Sequence, residues 1–132
     1  VGDIGFDLGI GHRTTSLTTS QRHSYEFIIS GGNIQAQHKS FDASNVSTVL
    51  SGLGATPYDT VNHKHLRITH KESTDTIVFD SSSDGILWTQ FASMPRNAAF
   101  NPRLATPEFT LWKSGADGAT MDVDNFRVGS NR

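Results

Sequence analysis

Two aromatic side chains in this chain are placed to hold a sugar: Trp112 and Tyr58. A pyranose has an apolar face that stacks on a flat π-surface, and its hydroxyls need planar polar partners alongside. If Phe109 and Leu111 point inward, strand alternation puts Thr110 and Trp112 on the opposite face. Tyr58 lies between Pro57 and Asp59 in a stretch rich in turn-forming residues, where an exposed ring is expected. Trp88 and Tyr25 complete the set of candidates, and Trp88 is read as a core residue instead.

Histidines form a second group. His63 and His65 stand two apart in a stretch of strand-like alternation, so their rings are expected on one face with Arg67. That spacing serves zinc or copper when a neighbouring strand adds a third ligand. The competing reading is that His63, His65 and Arg67 form a polar outer face or hydrogen-bond a polar ligand. A third group is acidic: Asp122 and Asp124, with Asn125 beside them and Asp84 and Asp117 in turns, offers the hard oxygen ligands that calcium takes. The spacing matches no defined calcium loop, and turn formation accounts for each Asp-Gly by itself. Only three glutamates occur, Glu26, Glu72 and Glu108, each isolated in sequence, and no catalytic pair is visible in them.

The elements that must position these residues are short strands. Asp3 to Ile10 alternates Ile4, Phe6, Leu8 and Ile10 against Asp3, Asp7 and glycines. Tyr25 to Ser30 and Ile34 to Ser40 form a hairpin about Gly31-Gly32-Asn33. His63 to Lys71 places Leu66 and Ile68 inward. Thr74 to Phe91 reads as a second hairpin, with Ile77 and Phe79 inward, a tight Asp84-Gly85 turn, and a return strand carrying Ile86, Trp88 and Gln90 on one face. Phe109 and Leu111 mark another strand, and Met121 to Val128 the last. Phe41 to Asn62 is read as a long loop with a helical turn or irregular strand near Asn45 to Leu53. Ala92 to Pro107, with its prolines, is read as a loop or short helical turn. Nine residues are expected in one core: Phe27, Leu66, Ile68, Ile77, Phe79, Trp88, Phe109, Leu111 and Phe126.

Composition agrees with an all-β chain. The 132 residues form one domain (1–132), only 18% are charged, and Ser, Thr, Gly and Asn are abundant. A net charge of −2 with scattered Lys and Arg provides no basic face for nucleic acid. No run is apolar enough to span a bilayer, so no membrane insertion is expected, and the absence of cysteine excludes disulfides and thiolate metal sites. The expectation is a mature soluble segment.

The run Ser82-Ser83-Asp84-Gly85-Ile86-Leu87-Trp88, followed some thirty residues later by Val123-Asp124-Asn125-Phe126-Arg127-Val128, resembles the C-terminal half of a concanavalin A-like, laminin-G-like jelly roll. The resemblance implies an antiparallel two-sheet β-sandwich with Trp88 in its core, and calcium as a common ligand of the superfamily. It also implies that strands preceding Asp3 to Ile10 are either absent or supplied by another chain. Glycosidases of that fold carry an E-x-D-x-x-E strand. Here Asp122 and Asp124 share a face without the third acid. Lyases of the fold use a Gln-x-His strand, echoed only in Gln35-Ala36-Gln37-His38.

The expected function is therefore a non-catalytic, lectin-like carbohydrate-binding module of an extracellular or surface protein, with a glycan or polysaccharide as partner, and not an enzyme. The alternative is a structural or assembly module of a phage, virion or pilus surface, completed by another polypeptide or by copies of itself. A glycan-active enzyme domain is the second alternative.

Overall fold

The computed structural model describes residues 4–11 and 22–113. The fold is an all-β, antiparallel two-sheet sandwich. Eight strands are present among the described residues: β1 (Ile4–Gly11), β2 (His23–Ser30), β3 (Asn33–Phe41), β4 (Ser47–Pro57), β5 (His65–Lys71), β6 (Thr76–Ser82), β7 (Thr89–Pro95) and β8 (Thr106–Lys113). One sheet has the order β4-β3-β2-β1-β8 and the other β5-β6-β7.

Alternation decides which side chains meet between the sheets. In β2, Tyr25, Phe27 and Ile29 point inward, and pairing with β3 sets Ile34 and Ala36 beside them. From the smaller sheet come Ile77, Phe79, Ala92 and Met94, and Phe100 closes one end from a loop. Phe27 meets Phe79 edge-on, with centroids 5.1 Å apart at 87°, and also touches Phe91. Each fully buried aromatic of this kind stabilises the fold by about 1.5–3 kcal/mol. Leu66 and Ile68 pack against this core half-buried.

The β2–β3 turn follows from its glycines. Gly31 and Gly32 both take left-handed backbone angles (φ 55° and 75°), which lets a two-residue turn match the strand twist. A second tie holds the loop after β7. Arg96 grips both carboxylate oxygens of Asp75, at 2.6 and 3.0 Å, and donates to the carbonyls of Asn97 and Phe100. The bond from Arg96, then that from His70, holds the Asp75 carboxyl down at about 2. The buried Tyr25 hydroxyl reaches the same loop, donating to the Pro95 carbonyl and accepting from the Asn97 amide.

Several expectations are corrected. Phe41 to Asn62 is not a long loop, because β4 occupies eleven of its residues. It lies along the nine residues of β3, two register shifts absorb the difference in length, and Gly54 takes a left-handed angle at one of them. Ala92 to Pro107 does contain a short helical turn, a 3₁₀ turn over Pro102–Leu104, but strands take its two ends: β7 runs to Pro95 and β8 begins at Thr106. The Asp84-Gly85 hairpin is wider than a tight turn. β6 extends through Ser82 and β7 begins only at Thr89, leaving 83–88 as a loop.

Trp88 is therefore not a core residue. It lies half-buried, with the Arg67 guanidinium carbon 4.1 Å above its ring. Phe109 is 39% exposed, while Phe126 lies outside the described residues.

Candidate functional site

A cleft of about 650 Å³ opens where the ends of β4, β6 and β7 meet the 58–63 loop. The loop is built by Asp59. Its Oδ1 accepts the amides of Val61 and Asn62 at 2.8 and 3.3 Å, and its Oδ2 accepts the Asn62 side-chain amide at 2.6 Å. The Val61 and Asn62 amides, in that order, hold the Asp59 carboxyl below its ordinary range. With its Nδ2 committed, Asn62 is left with its side-chain oxygen as an acceptor at the cleft wall.

His63 is fixed in the same way. Its Nδ1 accepts the Asp59 amide at 3.0 Å, so the neutral ring carries its proton on Nε2 and offers a donor. Its ring stacks on Tyr58 at 5.8 Å and meets the edge of Phe91 at 5.9 Å. Across the cleft stand Ser81, Ser83, Thr89 and Gln90, with Leu87 and Phe91 as the apolar surface. Ser82 is occupied elsewhere: its hydroxyl donates to Asp84 Oδ1 and accepts the Gly85 amide. Among the described residues that line the cleft there is no carboxylate.

Sequence-derived candidates divide among three places. His63 lines the cleft and Tyr58 backs it, half-buried and stacked rather than exposed as expected; burial pushes its phenol up. His63 and His65 do not share a strand face, because β5 begins at His65 and His63 belongs to the preceding loop. His65 instead lies by Gly85, where a Cβ would stand 3.5 Å from its Nδ1. Arg67 is committed to Asp80, which it meets with Nε at 3.1 Å and Nη2 at 2.9 Å. No group of three metal-ligating side chains exists among the described residues, so the zinc or copper reading of His63 and His65 finds no third ligand there. Trp112 sits in β8 opposite Gly5, at the far edge of the larger sheet from β4. Asp122 and Asp124 lie outside the described residues, as does the closing strand.

Residues that sequence reasoning missed are Asn62, Ser81, Gln90 and Phe91. The signal was Asp59 three residues before Asn62, the spacing of an Asx-capped turn.

A second polar group covers the outer face of the larger sheet. Glu26 and Glu108, isolated in sequence, flank Gly9 of β1 in register. A Cβ on Gly9 would lie 2.7 Å from the Glu26 Cβ, so the glycine is what lets the carboxylate settle there. Glu26 is fully buried, accepts Gln37 Nε2 at 2.7 Å and pairs with Lys39. A carboxylate held this way is out of reach of a dissolved glycan. Gln37 faces this side while His38 faces the core, so the Gln-x-His echo separates onto two faces.

Compared with known proteins, the chain matches no family model, no curated protein and no solved structure.

Proposed function

We propose that this chain is a non-catalytic carbohydrate-binding module of an extracellular or surface protein, with its sugar in the 650 Å³ cleft. The observation that carries the reading is the pairing of an apolar wall, Phe91 and Leu87, with polar groups: the Asn62 oxygen and the His63 Nε2 proton, both held in place by Asp59, and beside them the Gln90 amide and the Ser and Thr hydroxyls. A sugar ring needs that combination, and a cleft of this volume accepts one or two rings.

A glycan array followed by calorimetry tests this. His63→Ala and Gln90→Ala should each weaken the best array ligand at least about tenfold, since each removes a directional partner; Gln90→Ala should melt like wild type, whereas His63→Ala, which also loses the Asp59 amide and the Tyr58 and Phe91 contacts, should melt somewhat lower and is assayed well below its transition. An array without hits, or variants that bind like wild type, refutes it.

One observation favours the assembly alternative. β4 is a sheet edge of eleven residues without a charged side chain, and Val49, Leu50 and Leu53 are exposed on it. Light scattering that returned the 14.4 kDa chain mass at every concentration would remove self-assembly.

A further inference from the structure

We propose that the cleft selects sugars that carry an acetamido group. This deepens the carbohydrate reading and rests on it. Two consecutive polar residues of the cleft, Asn62 and His63, have a fixed sense, one accepting and one donating. Asn62 turns its Nδ2 to Asp59 Oδ2 at 2.6 Å, and Asp59, held below the ordinary carboxyl range, is a carboxylate that can only accept. What Asn62 offers the cleft is therefore Oδ1, an acceptor. His63 is set by the opposite logic. The Asp59 amide can only donate, so His63 Nδ1 accepts it at 3.0 Å and Nε2 carries the proton. The His63 amide in turn donates to the Asp59 carbonyl at 2.8 Å, which closes the loop about the pair. Neither side chain can reverse its role without breaking a bond to Asp59.

A hydroxyl both donates and accepts, so groups of either sense would serve it. A fixed acceptor beside a fixed donor suits a ligand whose own polarity is fixed. An acetamido group is one: its N–H donates to Asn62 Oδ1, its carbonyl accepts from His63 Nε2, and its methyl needs apolar cover. Phe91 provides that cover next to His63, the two rings meeting edge-on at 5.9 Å. Gly54, which also lines the cleft, keeps the Phe91 ring accessible. A Cβ there would stand 3.2 Å from Phe91 Cε1, and the φ of 72° favours glycine, so no side chain from position 54 covers the ring. Ser83, Thr89 and Gln90 remain for the hydroxyls of the sugar, which a peptide amide alone would not engage.

The test is a nuclear magnetic resonance titration of the full chain with N-acetylglucosamine and N-acetylgalactosamine, each against its parent, glucose or galactose. At least one acetamido sugar should bind at least about tenfold more tightly than its parent, because a hydroxyl in that place satisfies one of the two groups and brings no methyl. Asn62→Ala should cut that preference at least about threefold, the worth of one hydrogen bond. Damage to the loop as a whole would instead lower both affinities and leave their ratio. Equal affinities for acetamido and parent sugars, or array ligands without an acetamido group, overturn this proposal and leave the carbohydrate reading standing. So does an Asn62→Ala variant that keeps the full preference. N-Methylacetamide binding as tightly as the best acetamido sugar would make the cleft a site for peptide amides, and overturns the proposal too. No binding of any sugar, with an array without hits, overturns the carbohydrate reading itself.

Discussion

Acid should loosen this sandwich through His38. Its Nε2 lies 3.0 Å from His23 Nδ1 inside the protein, and its ring stacks flat on Tyr25 at 4.3 Å. Burial, and then the neighbouring His23, lowers the His38 pKa from 6.5 to about 4. Above about pH 6.5 the ring is neutral in both folded and unfolded chains, and the site costs nothing. As pH falls from there towards 4 the unfolded chain takes up the proton and the folded one does not, so stability is lost as pH falls. At 1.36 kcal/mol per unit the full loss is about 3 kcal/mol, of which about 2 kcal/mol is gone by pH 5. Below about pH 4 this group adds no further loss. Urea unfolding at pH 7 and pH 5 measures the change directly. His38→Gln keeps a side chain able to bond His23 and does not titrate, so its stability should change by about 2 kcal/mol less over the same interval. If variant and wild type lose stability in parallel, the buried pair is not the cause.

Three other outcomes are expected. Phe79→Ala should cost about 3–5 kcal/mol in urea unfolding, since it empties the contact with Phe27 at the centre of the core. Glu26→Ala should cost about 3–5 kcal/mol by the same measurement, because it breaks the buried ion pair with Lys39 and removes the acceptor of Gln37. Trp88→Ala should cost about 1 kcal/mol or less, the value of a cation–π contact on a half-exposed ring, and its melting temperature should stay within a few degrees of wild type.

How far the fold was legible depended on whether a strand kept its two-residue period. β1, β2 and β3 keep it, and Gly31-Gly32 marks a turn whose backbone demands glycine at both positions. β4 breaks it twice at its register shifts, so Val49, Leu50 and Leu53 fall out of phase and the stretch reads as a loop. Ile86-Leu87-Trp88 failed for the opposite reason: its spacing suits a strand, but Asp84 takes the amides of Ile86 and Leu87 that a ladder would need. Trp88 is thereby left outside the sheet and the core. The cleft was legible only in part, since its walls come from three separate stretches around Gly54, His63 and Gln90. A pairing such as Glu26 with Glu108 across Gly9 depends on strand order, which no local pattern contains.

Asp84 joins the local and the functional levels of this molecule. Its carboxyl is held below the ordinary range, first by the Ile86 amide, then by the Leu87 amide and the Ser82 hydroxyl. At neutral pH it is therefore ionised and accepts all three. The same three bonds set Leu87 against the cleft, point Ile86 into solvent and leave Trp88 beside Arg67. Asparagine, which retains one acceptor oxygen and tolerates the same turn, should preserve the loop, whereas alanine removes the acceptor of the Ile86 and Leu87 amides and leaves only the bonds that the Ser82 hydroxyl accepts from the amides of residues 84 and 85. Asp84→Asn should therefore keep glycan binding, and Asp84→Ala should weaken it while leaving the Phe27 and Phe79 core intact. Glycan binding unchanged in Asp84→Ala would mean that this turn does not shape the cleft wall.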